Sequence, residues 1–188
     1  MLVLAKRQIA FLVDATKCIN CKTCEIACKE ITASVQGVRL RKVRSFEMGN
    51  FPSVAVFNVS MSCNHCEDPA CVTNCPAKAY HKREDGTVVH NSSRCIGCRY
   101  CTWACPYGAP QYDETEGRIR KCDLCAAERD DGKSPACAEA CPTRALAVGW
   151  LDELVTAGKG TEDIRNVPSF EFTRPAVRYK VRAEARNG

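Results

Sequence analysis

The sequence predicts an α+β fold of short strands and short helices strung between cysteine loops. Three observations predict it. Sixteen of the 188 residues are cysteine, a fraction at which cysteine chemistry decides the architecture. The cysteines form four groups of four, which is an internal repeat. Between the groups stand only short β-prone runs bounded by turn residues.

Group I is Cys18, Cys21, Cys24 and Cys28, spaced C-x2-C-x2-C-x3-C. Group II is Cys63, Cys66, Cys71 and Cys75, spaced C-x2-C-x4-C-x3-C-P. Group III is Cys95, Cys98, Cys101 and Cys105, with the spacing of group I followed by proline. Group IV is Cys122, Cys125, Cys137 and Cys141, spaced C-x2-C-x11-C-x3-C-P. Every group ends in C-x3-C. Pro76, Pro106 and Pro142 follow the last cysteine of three groups, and Lys29 follows that of group I.

Composition leaves three chemistries open: a disulfide scaffold, a zinc array and an iron–sulfur protein. Three cysteines two residues apart suit a loop around one compact object with several metal atoms, and the fourth lies a helical turn away. In two-cluster ferredoxins that fourth cysteine ligates the other cluster. Zinc takes its ligands in pairs, so the triplets of groups I and III leave an odd thiolate; group IV alone would pass for a zinc ribbon. The pattern therefore favours four [4Fe-4S] clusters. Each proline lacks an N–H and suits the first turn of a short helix leaving the cluster.

Other classes drop out. There is no run of 18 apolar residues for a membrane helix, and no C-x-x-C-H for covalent haem. Nothing resembles an acid–base pair or a nucleophile–base triad. The opening MLVLAKRQIAFLVD has Lys6 and Arg7 near its start and no adequate apolar run after them. It reads as neither a secretory nor a twin-arginine signal. The expectation is a cytoplasmic chain, where disulfides are disfavoured, or one exported on a signal-bearing partner. The formal charge of +5 counts cysteines as neutral. Sixteen thiolates around four oxidised cubane cores bring the loaded protein to about −3, so the basic balance is no nucleic-acid signal.

In chain order, residues 9–13 read as a strand entering group I. Residues 38–46 and 54–61 read as a hairpin-like pair separated by Gly49-Asn50. Residues 87–89 follow a turn at Asp85-Gly86 and lead into group III. Residues 118–120 precede group IV, whose internal stretch 126–136 reads as a loop. Residues 151–157 suit a short helix, and the rest reads as an extended tail fit to wrap a partner. Cations flank the ligands: Lys17, Lys22, Lys29, Arg94, Arg99 and Lys121. A cation beside a cluster stabilises the added electron and raises the potential. Arg99, between Cys98 and Cys101, is the first candidate for tuning, with Lys22 and Lys121. His65 beside Cys66 is placed to donate a hydrogen bond to sulfur. Trp103 and Tyr100, amid the group III ligands, read as buried packing.

Several stretches closely resemble one family. They are Cys18-Ile19-Asn20-Cys21-Lys22-Thr23-Cys24-Glu25, Cys63-Asn64-His65-Cys66-Glu67-Asp68-Pro69-Ala70-Cys71 and Cys95-Ile96-Gly97-Cys98-Arg99-Tyr100-Cys101. With them go residues 81–86, 104–112 and 121–123. The family is the iron–sulfur (electron-transfer) subunits of dimethyl sulfoxide reductase and related molybdopterin oxidoreductases, and the resemblance covers residues 9–155. Related subunits serve polysulfide, thiosulfate, tetrathionate and nitrite reductases and formate dehydrogenases.

The resemblance implies an α+β fold of two ferredoxin-like 2x[4Fe-4S] modules with a short β insertion and an extended C-terminal tail. Residues 1–36 and 112–150 would form the first module and 37–111, with the hairpin, the second; 151–188 would be a helix and tail. It also implies four ligand sets. One cluster takes Cys18, Cys21, Cys24 and Cys141. The second takes Cys122, Cys125, Cys137 and Cys28. The third takes Cys63, Cys66, Cys71 and Cys105, and the fourth Cys95, Cys98, Cys101 and Cys75. The nitrate reductase relative replaces the second cysteine of group III and carries three irons; Cys98 holds that position here, implying four. The implied role is electron conduction and not catalysis, between a large molybdopterin (Mo or W) subunit and a membrane anchor that handles quinol. The competing readings are a stand-alone or hydrogenase- or formate dehydrogenase-linked polyferredoxin, and a zinc-stabilised interaction module.

Overall fold

The computed structural model describes residues 7–157 and 160–185. The N-terminal residues 1–6, on which the reading of a missing signal partly rests, lie outside them. Strand β1 (Ile9–Asp14) is β-branched and aromatic in sequence and is buried along almost its whole length. Helix α1 (Thr23–Ile31) follows the group I loop. Glu25 in its first turn and Lys29 in its last complement the helix dipole. Thr32 Oγ1 caps its end by donating to the Cys28 carbonyl at 2.6 Å.

Strands β2 (Lys42–Asn50) and β3 (Ser53–Met61) form an antiparallel hairpin with Phe46 opposite Phe57. The chain reverses at Phe51-Pro52, two residues later than the sequence suggests. Gly49 lies inside the strand at φ +83, where a Cβ would collide with the Ser53 carbonyl, so its glycine serves a twist and not the turn. Residues 38–41 stay outside the strand, although Val38 and Leu40 are buried. The hairpin leans on the group I loop: the Val43 amide donates to Glu25 Oε1 at 2.6 Å, and Asn58 Nδ2 to the Cys18 carbonyl at 3.0 Å.

Helix α2 (Ala70–Thr73) and helix α3 (Tyr100–Ala104) pack together, each followed or preceded by a short ribbon. One ribbon pairs β4 (Tyr80–Lys82) with β5 (Val88–His90); the other pairs β6 (Gln111–Asp113) with β7 (Arg118–Arg120). The stretch 126–136, read as a loop, contains helix α4 (Ala126–Asp130), a turn at Gly132 and the start of helix α5 (Ala136–Glu139). Arg129 explains the difference. It donates back to the Leu124 carbonyl at 2.9 Å and out to Asp85 Oδ2 at 2.9 Å, which fixes a turn that local propensity leaves undecided. Helix α5 packs on α1 as α2 packs on α3.

Strand β8 (Leu146–Trp150) lies antiparallel to β1, with Leu146 opposite Val13, and runs into helix α6 (Leu151–Thr156). The tail corrects the sequence reading. Instead of extending, it folds back, and strand β9 (Val177–Lys180) pairs parallel to β1 in a sheet of order β8-β1-β9. The alternation of arginine and apolar residues is the period-two pattern of a strand. Val177 and Tyr179 join Phe11, Val13, Leu146, Ile164 and Phe170 in the main apolar cluster. Arg178 is buried too, its guanidinium donating to Glu162 Oε1 at 2.7 Å.

Candidate metal centres

The four cysteine groups share a backbone device. The residue two after the first cysteine is left-handed in each: Asn20 (φ 59), His65 (φ 44), Gly97 (φ 69) and Leu124 (φ 62). Three of these are not glycine and so carry backbone strain, which persists where the surrounding structure enforces it. The conformation curls each loop and turns its amides inward. The His65 amide lies 3.5 Å from Cys63 Sγ and the Leu124 amide 3.4 Å from Cys122 Sγ.

The cysteine–proline steps close the device from the other side. They begin tight turns and not the helices expected for them. Lys78 (φ 48), Gly108 (φ 60) and Arg144 (φ 51) are left-handed three residues past the cysteine, and each amide bonds back to that cysteine's carbonyl. The following amide then meets the thiol, at 3.3 Å for Ala79 on Cys75 and 3.2 Å for Ala145 on Cys141.

Two chambers are ringed by thiols from different groups. One is lined by Cys18, Cys21, Cys24 and Cys141, and the other by Cys63, Cys66, Cys71 and Cys105. Elsewhere Cys28 on α1 is brought near Cys122, Cys137 and Cys125, and Cys101 on α3 near Cys75 and Cys95. The thiols of the chambers surround a space and do not converge on a point. Among the described residues no three cysteine, histidine or carboxylate side chains stand close enough to clasp one ion. Four thiolates spread this widely suit a cluster of several irons, each thiolate on its own iron, and not a single zinc ion of tetrahedral reach. Burial pushes some of the thiols up, Cys66 and Cys28 to about 12 and Cys125 to about 11. Binding metal as thiolates would release those protons.

The tuning candidates separate clearly. Lys121 is buried, and its ammonium donates to Cys63 Sγ at 3.3 Å, to the Val88 carbonyl at 2.6 Å and to the Cys122 carbonyl at 2.7 Å. Burial alone would lower its pKa, but the surrounding Cys63, Cys71 and Cys122 sulfurs raise it. Lys22 and Arg99 are exposed, both in left-handed conformations, and Arg99 stacks on the Tyr112 ring at 3.5 Å. The His65 ring makes a different contact from the one expected. Its Nδ1 accepts from the Val88 amide at 3.1 Å, so the proton resides on buried Nε2, and sulfur is met by the backbone N–H instead. Burial, reinforced by Lys121, holds this imidazole well below its usual pKa. Trp103 and Tyr100 are not buried packing: they are 86% and 55% exposed. A five-residue helix beside a surface loop offers them no second layer to enter.

Several contacts were not legible in the sequence. Arg41 is 2% exposed and reaches Ser60 Oγ at 3.0 Å, and that hydroxyl lies 3.3 Å from Cys24 Sγ. Thr173, in the tail, donates to Cys66 Sγ at 3.2 Å. The Tyr80 hydroxyl faces the Cys101 thiol without the geometry of a formed hydrogen bond. Each approaches a cysteine from another element, Arg41 through the Ser60 hydroxyl, so no local spacing announces them.

Residues 54–151 match a family described as a 4Fe-4S dicluster domain. The protein is 44% identical over 187 residues to an anaerobic dimethyl sulfoxide reductase chain of Escherichia coli (strain K12), covering 95% of this sequence and 91% of that one. It is 34% identical over 205 residues to a sulfite dehydrogenase subunit of Allochromatium vinosum, with 95% and 85% covered. It is 34% identical over 172 residues to the formate dehydrogenase iron-sulfur subunit of Wolinella succinogenes, with 80% and 85% covered. Chambers each lined by four cysteines, sixteen thiols in repeated spacing and these relatives agree. The protein belongs to the family of four-cluster iron–sulfur, electron-transfer subunits found in dimethyl sulfoxide reductase and related molybdoenzymes.

Proposed function

We propose that the chain is a linear conductor of single electrons between a molybdopterin catalytic subunit, holding Mo or W, and a membrane-embedded quinol-reactive anchor. It is itself non-catalytic. Bound [4Fe-4S] clusters would supply one-electron chemistry with little geometric change. The ligand sets of the reading are Cys18, Cys21, Cys24 and Cys141; Cys28, Cys122, Cys125 and Cys137; Cys63, Cys66, Cys71 and Cys105; and Cys75, Cys95, Cys98 and Cys101.

The observation that carries the reading is the order in which elements link these sets. Helix α1 holds Cys24 of the first set and Cys28 of the second. Lys121 joins Cys122 of the second to Cys63 of the third. Helix α2 holds Cys71 of the third and runs to Cys75 of the fourth. The sets thus form a row. Its two ends are the surface sets, because Cys21 and Cys98 are the exposed cysteines. A row buried between two open ends suits entry of electrons at one partner and exit at another.

The module division belongs to this reading: residues 1–36 with 112–150, and residues 37–111, with 151–188 as a C-terminal element. Membrane association would come through the partner, since no helix among the described residues is long and apolar enough to cross a bilayer.

The test is anaerobic purification from the native host, with iron, sulfide, zinc and molybdenum measured alongside the masses of co-purifying chains. The expected result is about 16 iron and 16 sulfide per chain, with Mo or W on a large partner. Four clusters without any partner would favour a free polyferredoxin. Zinc without sulfide would overturn the reading.

A further inference from the structure

Arg41 is a charged side chain in the interior for which the described residues supply no carboxylate. It is 2% exposed, as deep as a core leucine. Nη1 donates to Ser60 Oγ at 3.0 Å and Nη2 to Ser62 Oγ at 2.9 Å, while the plane lies 4.4 Å from the Phe11 ring centroid. Nε is buried with no hydrogen-bond partner. The buried Arg178, by contrast, has Glu162. A desolvated cation without a counter-ion is costly enough that folded proteins almost always pair it.

The groups that face Arg41 are cysteines. Cys137, Cys122, Cys24 and Cys28 lie within its electrostatic reach, and Ser60 links it to Cys24 Sγ through one hydroxyl. In the ligand reading above, Cys24 belongs to the first set and the other three to the second. Arg41 therefore lies within electrostatic reach of both these cluster sites, linked to the first through Ser60.

We propose that Arg41 is the shared counter-ion of these two clusters, a positioning residue that raises both reduction potentials together. The proposal rests on the ligand sets of the preceding section. An added electron at either site increases the negative charge beside a fixed cation in a medium of low dielectric, so the reduced state gains more than the oxidised one. Arginine suits the role because it does not deprotonate and offers five donors in one plane. Lys121 stands in the equivalent place between the second and third sets, so the second cluster is flanked by two cations.

The experiment uses the complex as purified, with Arg41→Gln and Arg41→Lys variants. Iron and sulfide content and the midpoint potentials of all four clusters are measured by redox titration followed by EPR. The expected result is a fall in two potentials in Arg41→Gln, near-normal values in Arg41→Lys, and no movement of the other two clusters. Cys24→Ser and Cys137→Ser assign the signals. If those two variants perturb one and the same cluster, the ligand reading fails. If they perturb different clusters and Arg41→Gln, with four clusters retained, moves neither, the counter-ion proposal fails. Should Arg41→Gln lose clusters that Arg41→Lys retains, the charge is needed to hold them, which supports the proposal. Loss in both variants would make the guanidinium a packing element and overturn it.

Discussion

Lys121 and Cys63, 58 residues apart in sequence, meet in the interior, where the ammonium donates to Cys63 Sγ at 3.3 Å. The same nitrogen bonds the carbonyls of Val88 and Cys122. Replacing Lys121 with Met removes a buried charge beside two proposed cluster sites. The potentials of the clusters on Cys63 and Cys122 should fall, and Lys121→Arg should move them little. The orphaned carbonyls add a stability cost of about 1–3 kcal/mol each. EPR-monitored redox titration checks the first effect and thermal loss of cluster absorbance the second; unchanged potentials in an intact Met variant would remove Lys121 as a tuning residue.

Cys98 is exposed, at one end of the proposed row. In the proposed ligand set, Cys98→Trp leaves one iron of the fourth cluster without a thiolate. Iron content should drop by about one per chain, and an oxidised-state three-iron EPR signal should appear. A variant with full iron and no such signal would remove Cys98 from the ligand set.

Thr173 reaches across from the tail to Cys66 Sγ at 3.2 Å. A hydrogen bond to a ligand sulfur favours the reduced cluster, so Thr173→Val should lower the third potential and no other. Movement of several clusters at once would point instead to a general disturbance of packing.

Tyr179 is 1% exposed and pairs with Val13 across the β1–β9 seam. Tyr179→Ala should cost about 3–5 kcal/mol, in the range of other large-to-small core changes. Its cluster-loss temperature should fall well below that of Arg182→Ala, a change at an exposed position of the same segment. Equal temperatures would mean that the tail is an appendage after all.

Asp85 carries a pH dependence. Burial pushes its carboxyl up, but the Thr87 amide and the Arg129 guanidinium outweigh burial and leave it below its usual range. A lowered folded-state pKa gives stability that is present at neutral pH and lost as pH falls through that value. Asp85→Asn should therefore destabilise the protein by up to about 3 kcal/mol at pH 7. The gap between variant and parent should close in acid, which paired unfolding curves at pH 7 and below about pH 4 would reveal. A gap independent of pH would refute the ion pair's role.

Much of the chemistry was legible from the chain alone because ligand spacing is a local property. The repeat in Cys18, Cys21 and Cys24 and in Cys95, Cys98 and Cys101 names the cofactor without any fold, since a short loop can surround only a small object. The strand at 9–13 and the helix at 151–157 were legible for the same reason: a β-branched, aromatic run, and a short apolar stretch with acids in its first turn. The 126–136 stretch was not, because its helices depend on Arg129 reaching Asp85 from a distant turn.

The number and kind of cysteine groups, their chemistry and the family therefore follow from the chain read residue by residue. Which side chains from elsewhere approach the sulfurs follows only from the folded packing. Arg41, by way of Ser60, and Thr173 act across long separations, and Lys121, flagged by its place beside Cys122, bonds Cys63 from a distant segment; a sequence carries no signal for such contacts. The tail shows the same limit: its alternating arginines read as an extended tail fit to wrap a partner, whereas β1 supplies an edge for Val177 and Tyr179 to bury against. A strand is stable only with a partner, and the partner is chosen by the fold.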